Sequence, residues 1–234
     1  MSCAAFKLRF GIIGTNFISD WLLEGAAEDS RFEVAAIYSR SQDTANAFAV
    51  KHNIPYTFVS LDAMASSPLI DAVYIASPTA LHSEQAILFM EHGKHVLCEK
   101  PSASNIRELG RMIEAAKKYG VVFMEAMKST LMPGFGAILQ HLPEIGTVRR
   151  YFASYCQYSS RYDKLKAGEV MNAFKPELSN GATMDLGIYT IYPLVVLWGR
   201  PFRISATGIL LSTGVDGQGA VNLEYGQGKN ATIL

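Results

Sequence analysis

The sequence has few cysteines and no excess of charge of either sign. Its three cysteines, Cys3, Cys98 and Cys156, form no Cys-x-x-Cys pair and have no matching histidine spacing. This pattern predicts neither a disulfide framework nor a zinc site, and we expect no bound metal. Lys+Arg and Asp+Glu both number 21. Because nucleic acids and anionic membranes are bound through clustered basic residues, we expect neither as a partner.

Long apolar runs are also missing. Stretches such as 188–198 are shorter than the roughly 20 residues that span a bilayer core, and residues 1–7 show no basic segment followed by an apolar one. We therefore expect a cytoplasmic protein. With 49% hydrophobic and 18% charged residues, the composition is that of an ordinary globular protein and excludes disorder.

The first half of the chain alternates short apolar runs with amphipathic stretches, which predicts a parallel sheet with crossover helices. The apolar run Val73-Tyr-Ile-Ala indicates a strand covered on both faces. One apolar stripe on the last helix of this half, formed by Ile106, Leu109, Ile113 and Ala116, is expected to pack on the sheet. The predicted strands are 8–13, 32–38, 72–76, 95–98 and 121–124, and the predicted helices are 17–27, 42–51, 81–91 and 106–119.

The pattern changes after about residue 127, and we predict two domains, 1–126 and 127–234. The second domain is expected to be α+β: a long strand 148–158, a polar segment 159–180, a helix 182–197 and strands 203–211 and 220–225. The last residues predict a hairpin, and the sequence ends within its second strand, before any turn residues that would end that strand. We therefore expect this domain to be truncated.

A glycine turn follows the first strand, at the position of the phosphate-binding turn of a Rossmann fold. Read against Gly-x-Gly-x-x-Gly, the sequence has Gly14, Asn16 and Ser19. Asn tolerates positive φ and Ser is small, so the turn is still expected to form, although an ordinary strand-to-helix turn is the alternative. The residues expected to bind the cofactor here, through backbone N–H groups at a helix N-terminus, are Gly14, Thr15, Asn16, Phe17 and Ile18.

The end of the second strand predicts the cofactor's identity. It carries Ser39 and Arg40 with no acid until Asp43. An acid at this point serves the 2′-hydroxyl of NAD, whereas Arg suits the 2′-phosphate of NADP. NADP(H) is therefore favoured, with NAD(H) left open, and the alternative for Arg40 is a merely solvated side chain.

Three segments resemble the Gfo/Idh/MocA oxidoreductase family. They are Glu99-Lys100-Pro101, which resembles the end of its fifth Rossmann strand, the loop 76–82 and the signature-like stretch 180–189. The resemblance is closest to the dihydrodiol and xylose dehydrogenase branch, through Tyr189 and Glu125-Ala-Met127. Lys128-Ser129-Thr130 departs from that branch, so we do not extend the resemblance to aromatic-diol substrates.

The resemblance implies an N-terminal Rossmann domain and a C-terminal α+β domain on an open, mainly antiparallel sheet, through which such proteins often form homodimers or higher homo-oligomers. It further implies the remaining cofactor-binding residues and the catalytic ones. The cofactor-binding residues are Ser77, Pro78, Thr79, His82, Glu99 and Lys100. The catalytic residues are Lys100, Asp185 and Tyr189.

The chemistry of these residues agrees with that role. Asp185 and Tyr189 are four residues apart, so on a helix they share one face, and Lys100 lies at a strand's carboxyl end, where α/β sheets bind ligands. A ketone that accepts hydride develops alkoxide charge and needs a cation and a proton donor. Other interpretations are a surface cation for Lys100, a helix-terminal residue for Asp185 or His82, and a core aromatic for Tyr189.

Together these features predict an NADP(H)-dependent oxidoreductase that transfers a hydride to or from a sugar, polyol or related hydroxy or keto compound. The alternative is a nonenzymatic regulator that binds the dinucleotide as a signal on the same fold. Retention of Lys100, Asp185 and Tyr189 favours the enzyme, because a sensor needs no proton donor.

Overall fold

The computed structural model describes residues 7–234, so Cys3 and the start of the N-terminal stretch examined above lie outside the described part. The chain divides into two compact units, with the boundary between Ala126 and Met127. The first is built on a parallel sheet and the second on a mixed one.

The first unit has a six-stranded sheet in the order β3-β2-β1-β4-β5-β6, with all pairs parallel. Its strands are β1 Leu8–Ile13, β2 Phe32–Tyr38, β3 Tyr56–Phe58, β4 Ala72–Ile75, β5 His95–Cys98 and β6 Phe123–Glu125. The predicted Rossmann fold is confirmed. The order reverses between β1 and β4, and open α/β sheets bind ligands at the carboxyl ends of such strands. All four residues of β4 are buried, as its apolar run predicted.

Five helices accompany this sheet: α1 Phe17–Ala26, α2 Gln42–His52, α3 Leu61–Ala65, α4 His82–Glu91 and α5 Ile106–Tyr119. Four of them begin at a side-chain cap whose oxygen accepts a backbone N–H of the first turn. The capping residues are Asn16, Ser41, Ser60 and Asn105.

The predicted stripe on α5 is wrong at two of its positions. Ile106 is 78% exposed and Ile113 is 41% exposed, whereas the buried face consists of Met112, Ala115 and Ala116. Ala116 belongs to the predicted stripe and is buried as expected, whereas Met112 takes the place expected for Ile113. Met112, Ala115 and Ala116 all belong to the core cluster that includes residues of the sheet and of α4.

The second unit has a four-stranded sheet in the order β7-β10-β9-β8, in which only β7 and β10 pair in parallel. Its strands are β7 Arg150–Ala153, β8 Arg203–Leu210, β9 Asp216–Tyr225 and β10 Lys229–Ile233, and its helices are α6 Pro133–His141, α7 Tyr162–Lys166 and α8 Ile188–Trp198. The predicted hairpin is confirmed, with Gln227 and Gly228 at positive φ in its turn.

Several expectations for this unit need correction. The strand predicted over 220–225 begins four residues earlier, at Asp216, and the polar segment 159–180 contains the short helix α7. The strand predicted over 148–158 is limited to Arg150–Ala153, the four residues that pair with residues 230–233 of β10. The helix predicted over 182–197 begins as a π-helical turn, Thr183–Gly187, and continues as α8 to Trp198.

The stretch Pro176–Trp198 has 23 residues and a hydropathy of 1.2, which by length and composition alone would allow it to cross a membrane. Its backbone does not form one continuous helix, because Ser179 has a φ of 57° and Gly181 a φ of 149°. The fully buried Leu194 packs on β9 and β10 through Leu223 and Ala231. These contacts are typical of a helix that covers a sheet, and the absence of a membrane partner stays a prediction.

Candidate functional site

The turn after β1 requires glycine at its first position. Gly14 has a φ of 110°, and a Cβ added there would lie 2.7 Å from the carbonyl oxygen of Ala76, at the end of β4. A backbone carbonyl in a sheet cannot move aside as a flexible side chain can. Gly14 therefore brings the turn directly against the backbone that follows β4, an approach that a residue with a side chain would not allow.

Asn16 and Ser19 replace the other two glycines by making hydrogen bonds. The Asn16 side chain accepts the N–H of Ile18 at 2.9 Å and donates to the Ala76 carbonyl oxygen at 2.9 Å. Ser19 is fully buried and donates its hydroxyl to the Gly14 carbonyl oxygen at 2.8 Å. Asn16 has a φ of −94°, so the positive φ that we expected it to tolerate is not used. Its capping bond explains its presence instead.

The N-terminus of α1 follows this turn. The first N–H groups of a helix have no intrahelical acceptor and carry partial positive charge, which suits a pyrophosphate. Phe17 is 49% exposed at this end. Ile18 packs its side chain on the core of β1, β2 and β4. Thr15 is half-buried between the strand and the helix. Of these, the backbone groups are the candidates for cofactor contacts.

The loop after β2 is held by its own backbone and hydroxyls. Ser39 donates its N–H to the Phe58 carbonyl oxygen at 3.1 Å, and its hydroxyl accepts the Ser41 N–H at 3.4 Å. Arg40 lies exposed between them, and its guanidinium has no ion-pair or hydrogen-bond partner within residues 7–234. The loop therefore presents a cation whose donors are all available.

His82, predicted to contact the cofactor, is 1% exposed and is the first residue of α4. Its Nδ1 lies 3.0 Å from the Pro101 carbonyl oxygen and its Nε2 lies 2.8 Å from the Ser77 carbonyl oxygen. Burial lowers the pKa of the imidazole, against the opposing effects of these carbonyls and of Glu99 and Glu125. His82 thus bridges the loops that follow β4 and β5.

Three other predicted residues lie in the loop after β4. Ser77 donates its hydroxyl to Oε1 of Gln85 at 2.6 Å, so its side chain is tied to α4. Pro78 precedes a short 3₁₀ turn that begins at Thr79, and Thr79 is 7% exposed. The loop is fixed by these contacts at the carboxyl edge of the sheet.

Lys100 follows β5 in a segment that is held from several sides. The buried Tyr74 donates its hydroxyl to Oε1 of Glu99 at 2.6 Å, and Oε2 of Glu99 accepts the Lys100 N–H at 3.1 Å. Glu125, at the end of β6, accepts the Ser102 N–H at 2.8 Å. Our sequence reasoning used Glu125 only as a family marker and did not assign Tyr74 a place in the site.

The second unit carries the other two predicted catalytic residues on one helix. Asp185 lies exposed in the π-helical turn, and Tyr189 is half-buried near the start of α8. The Tyr189 ring lies 5.8 Å from the ring of Tyr155, centroid to centroid. Tyr155 follows β7 and was not predicted, because it lies within what we expected to be a regular strand.

In the first unit, therefore, the structure brings Gly14, His82, Glu99 and Lys100 to the carboxyl ends of adjacent strands. In the second unit, Asp185 and Tyr189 share one helix. No group of three or more His, Cys, Asp or Glu side chains suited to a metal ion occurs in the described residues.

This architecture defines a dinucleotide-binding Rossmann domain followed by an α+β domain. The chain belongs to the Gfo/Idh/MocA family. The family's oxidoreductase model with an NAD-binding Rossmann fold matches residues 8–127, and that of its C-terminal domain matches residues 143–234. The resemblance deduced from the motifs is confirmed.

Two curated relatives are similar to the chain along most of its length. It is 60% identical over 218 residues to scyllo-inositol 2-dehydrogenase (NADP(+)) IolU of Bacillus subtilis, covering 93% of this chain and 66% of the relative. It is 32% identical over 206 residues to trans-1,2-dihydrobenzene-1,2-diol dehydrogenase of Xenopus tropicalis, covering 86% and 60%. The chain thus spans 60–66% of the length of these two relatives.

A solved structure agrees with the fold. The 3-ketoreductase KijD10 from Actinomadura kijaniata, in complex with NADP and TDP-benzene, superposes with a TM-score of 0.84 at 26% identity. The match covers 97% of this chain and 69% of KijD10.

Proposed function

We propose that this chain carries the active site of an NADP(H)-dependent oxidoreductase that transfers a hydride to or from a sugar or polyol, with a cyclic polyol as the foremost substrate class. The observation that carries the proposal is the position of Lys100 at the carboxyl end of β5, on the sheet edge where the Gly14 turn also lies. The similarity to an NADP(+)-dependent scyllo-inositol dehydrogenase supports both the substrate class and the cofactor.

The residues present fit a dinucleotide. Gly14 permits the tight turn between β1 and α1, where a Cβ would clash with the Ala76 carbonyl, and the N-terminus of α1 supplies N–H donors for the pyrophosphate. Ser39 and Arg40 would hold the 2′-phosphate, since a guanidinium offers paired donors and the sequence has no acidic residue between Tyr38 and Gln42. These features favour NADP(H), and NAD(H) would lose the phosphate contact.

When bound, the nicotinamide supplies or accepts the hydride at the substrate carbon. The chain's own residues would transfer the proton and stabilise the charge that develops on the substrate oxygen. We propose that Tyr189 transfers the proton at the substrate oxygen and that Lys100 stabilises negative charge there. Asp185 would accept a hydrogen bond from a neighbouring substrate hydroxyl. The hydrogen bonds of the Lys100 and Ser102 N–H groups to Glu99 and Glu125 hold the backbone from which the Lys100 side chain extends.

Turnover assays test this proposal. The purified protein is incubated with NADP⁺ or NAD⁺ and a panel of scyllo-inositol, myo-inositol, an aldopentose and an aromatic diol, while absorbance of the reduced nicotinamide is followed. We expect reduction of NADP⁺ with a cyclic polyol. Tight dinucleotide binding without turnover on any substrate, in either direction, would instead support the regulator.

We also propose that the protein is cytoplasmic and forms homodimers or higher homo-oligomers through the sheet of the second unit. Every residue of β8 is exposed within the single chain, including Ile204, Ile209 and Leu210. An exposed strand with apolar side chains favours association with another protein, and a second copy of this chain would cover it. Light scattering of the purified protein gives the mass, and a monomer at micromolar concentration would refute this assembly.

A further inference from the structure

Asp216 holds the beginning of the helix that carries Asp185 and Tyr189. Thr183, the first residue of the π-helical turn, donates its backbone N–H to Oδ2 of Asp216 at 2.6 Å. It also donates its hydroxyl to the same oxygen at 2.7 Å. A carboxylate that accepts two donors from one residue restrains both the backbone and the side chain of that residue.

The other carboxylate oxygen of Asp216 explains the glycine just before the helix. A Cβ on Gly181 would overlap Oδ1 of Asp216, and Gly181 has a φ of 149°, which other residues rarely adopt. The Gly181 carbonyl oxygen in turn accepts the Asp185 N–H at 3.0 Å. The entry to the helix is therefore built around the carboxylate.

Asp216 is itself fixed, because it is the first residue of β9 and pairs with Leu210 of β8 beyond a register shift. The helix has a second attachment seven residues further on, where the Tyr151 hydroxyl donates to the Thr190 carbonyl oxygen at 3.0 Å. Asp185 and Tyr189 lie between these two attachments. A π-helical turn is rare, and such turns often mark functional sites.

We propose that Asp216 is a positioning residue: it anchors the turn Thr183–Gly187 to the sheet and so sets the directions of the Asp185 carboxylate and the Tyr189 hydroxyl. This role rests on the proposed function of those two residues. Asp216 touches neither substrate nor cofactor in this scheme and acts only through the turn.

Three variants test the inference in the purified protein. Asp216→Ala removes both acceptors, Asp216→Asn keeps one oxygen that can accept from Thr183, and Thr183→Val removes one of the two bonds. We expect kcat to fall at least about tenfold in Asp216→Ala, since small misplacements of catalytic groups are costly, and to recover largely in Asp216→Asn. The Kd for NADPH should stay unchanged. Asp163→Ala is the matched control, because Asp163 also accepts two side-chain donors in the same unit.

Hydrogen exchange of the peptide that contains residues 181–189 gives a readout that needs no turnover. Exchange should accelerate in Asp216→Ala, less in Thr183→Val, and little in Asp216→Asn or Asp163→Ala. Wild-type kcat and wild-type protection in Asp216→Ala would overturn the inference. If Asp216→Ala does not fold, unaltered exchange and kcat in Thr183→Val would overturn it. If the unmutated protein turns over no substrate, the proposed function is refuted. The exchange data would still show whether Asp216 anchors the turn Thr183–Gly187.

Discussion

Replacing Arg40 with alanine is expected to weaken NADPH binding and leave NADH binding almost unchanged. The side chain is exposed and has no partner within residues 7–234, so its removal breaks no contact of the described fold. The loop that carries it is held by Ser39 and Ser41 through bonds that the substitution does not touch. We therefore expect the stability of Arg40→Ala to remain within about 0.5 kcal/mol of wild type.

The size of the effect follows from the chemistry of the lost contact. A hydrogen bond to a charged group contributes about 1.5–3 kcal/mol, and 1.4 kcal/mol corresponds to a factor of ten in Kd. The Kd for NADPH should then rise by about 10- to 150-fold. NADH has a 2′-hydroxyl in place of the phosphate, so its Kd should change less than about twofold.

Fluorescence titration with both reduced cofactors measures these constants. Arg107→Ala is the matched control, because Arg107 is also exposed on the first unit and its side chain has no partner in the described residues. An unchanged Kd for NADPH in Arg40→Ala would refute the proposal that Arg40 binds the 2′-phosphate. Equal weakening of both cofactors, or tighter binding of NADH by the unmutated protein, would refute it as well.

Three further predictions concern single side chains. Tyr189→Phe should lower kcat by about 10²–10⁴-fold and leave the Kd of the cofactor unchanged. Lys100→Met should lower kcat by as much or more. Full activity in Tyr189→Phe would show that another residue transfers the proton. Burial lowers the pKa of His82, so as the pH falls the unfolded chain binds a proton before the folded chain does. The free energy of unfolding should therefore fall as the pH drops below about 6.5. Denaturant titrations at several pH values should show a weaker pH dependence in His82→Gln. Burial raises the pKa of the Cys98 thiol, so mass spectrometry after iodoacetamide treatment should find Cys156 modified and Cys98 intact until the protein unfolds; rapid native-state labelling of Cys98 would contradict its burial.

The boundaries of several elements could be predicted because local residues define them. Strands 8–13, 32–38 and 95–98 and the helix 106–119 were predicted with the bounds that the structure shows. The helix begins after the capping Asn105 and ends at Gly120 in the left-handed conformation, and both signals are visible in the sequence. In contrast, β3 has only three residues, too few for a pattern of alternation.

The residues that support the site could not be predicted, because their contacts are distant in the chain. Glu125 meets Ser102 and Asp216 meets Thr183 only after the fold has formed, and neither carboxylate belongs to a local motif that indicates its partner. The bridge formed by His82 between two carbonyl groups is equally non-local. The motifs thus predict which residues carry the chemistry, and the structure shows the hydrogen bonds that fix the backbone around several of them.

The most direct test of the central proposal is hydride transfer from a specifically deuterated polyol. Scyllo-inositol labelled with deuterium at its ring carbons is incubated with NADP⁺ and the purified protein, and the resulting NADPH is analysed by mass spectrometry. We expect NADPH that carries one deuterium per turnover, and little product when NAD⁺ replaces NADP⁺. Bound NADP⁺ that remains unreduced with this and every other polyol or sugar tested would contradict the assignment as a dehydrogenase.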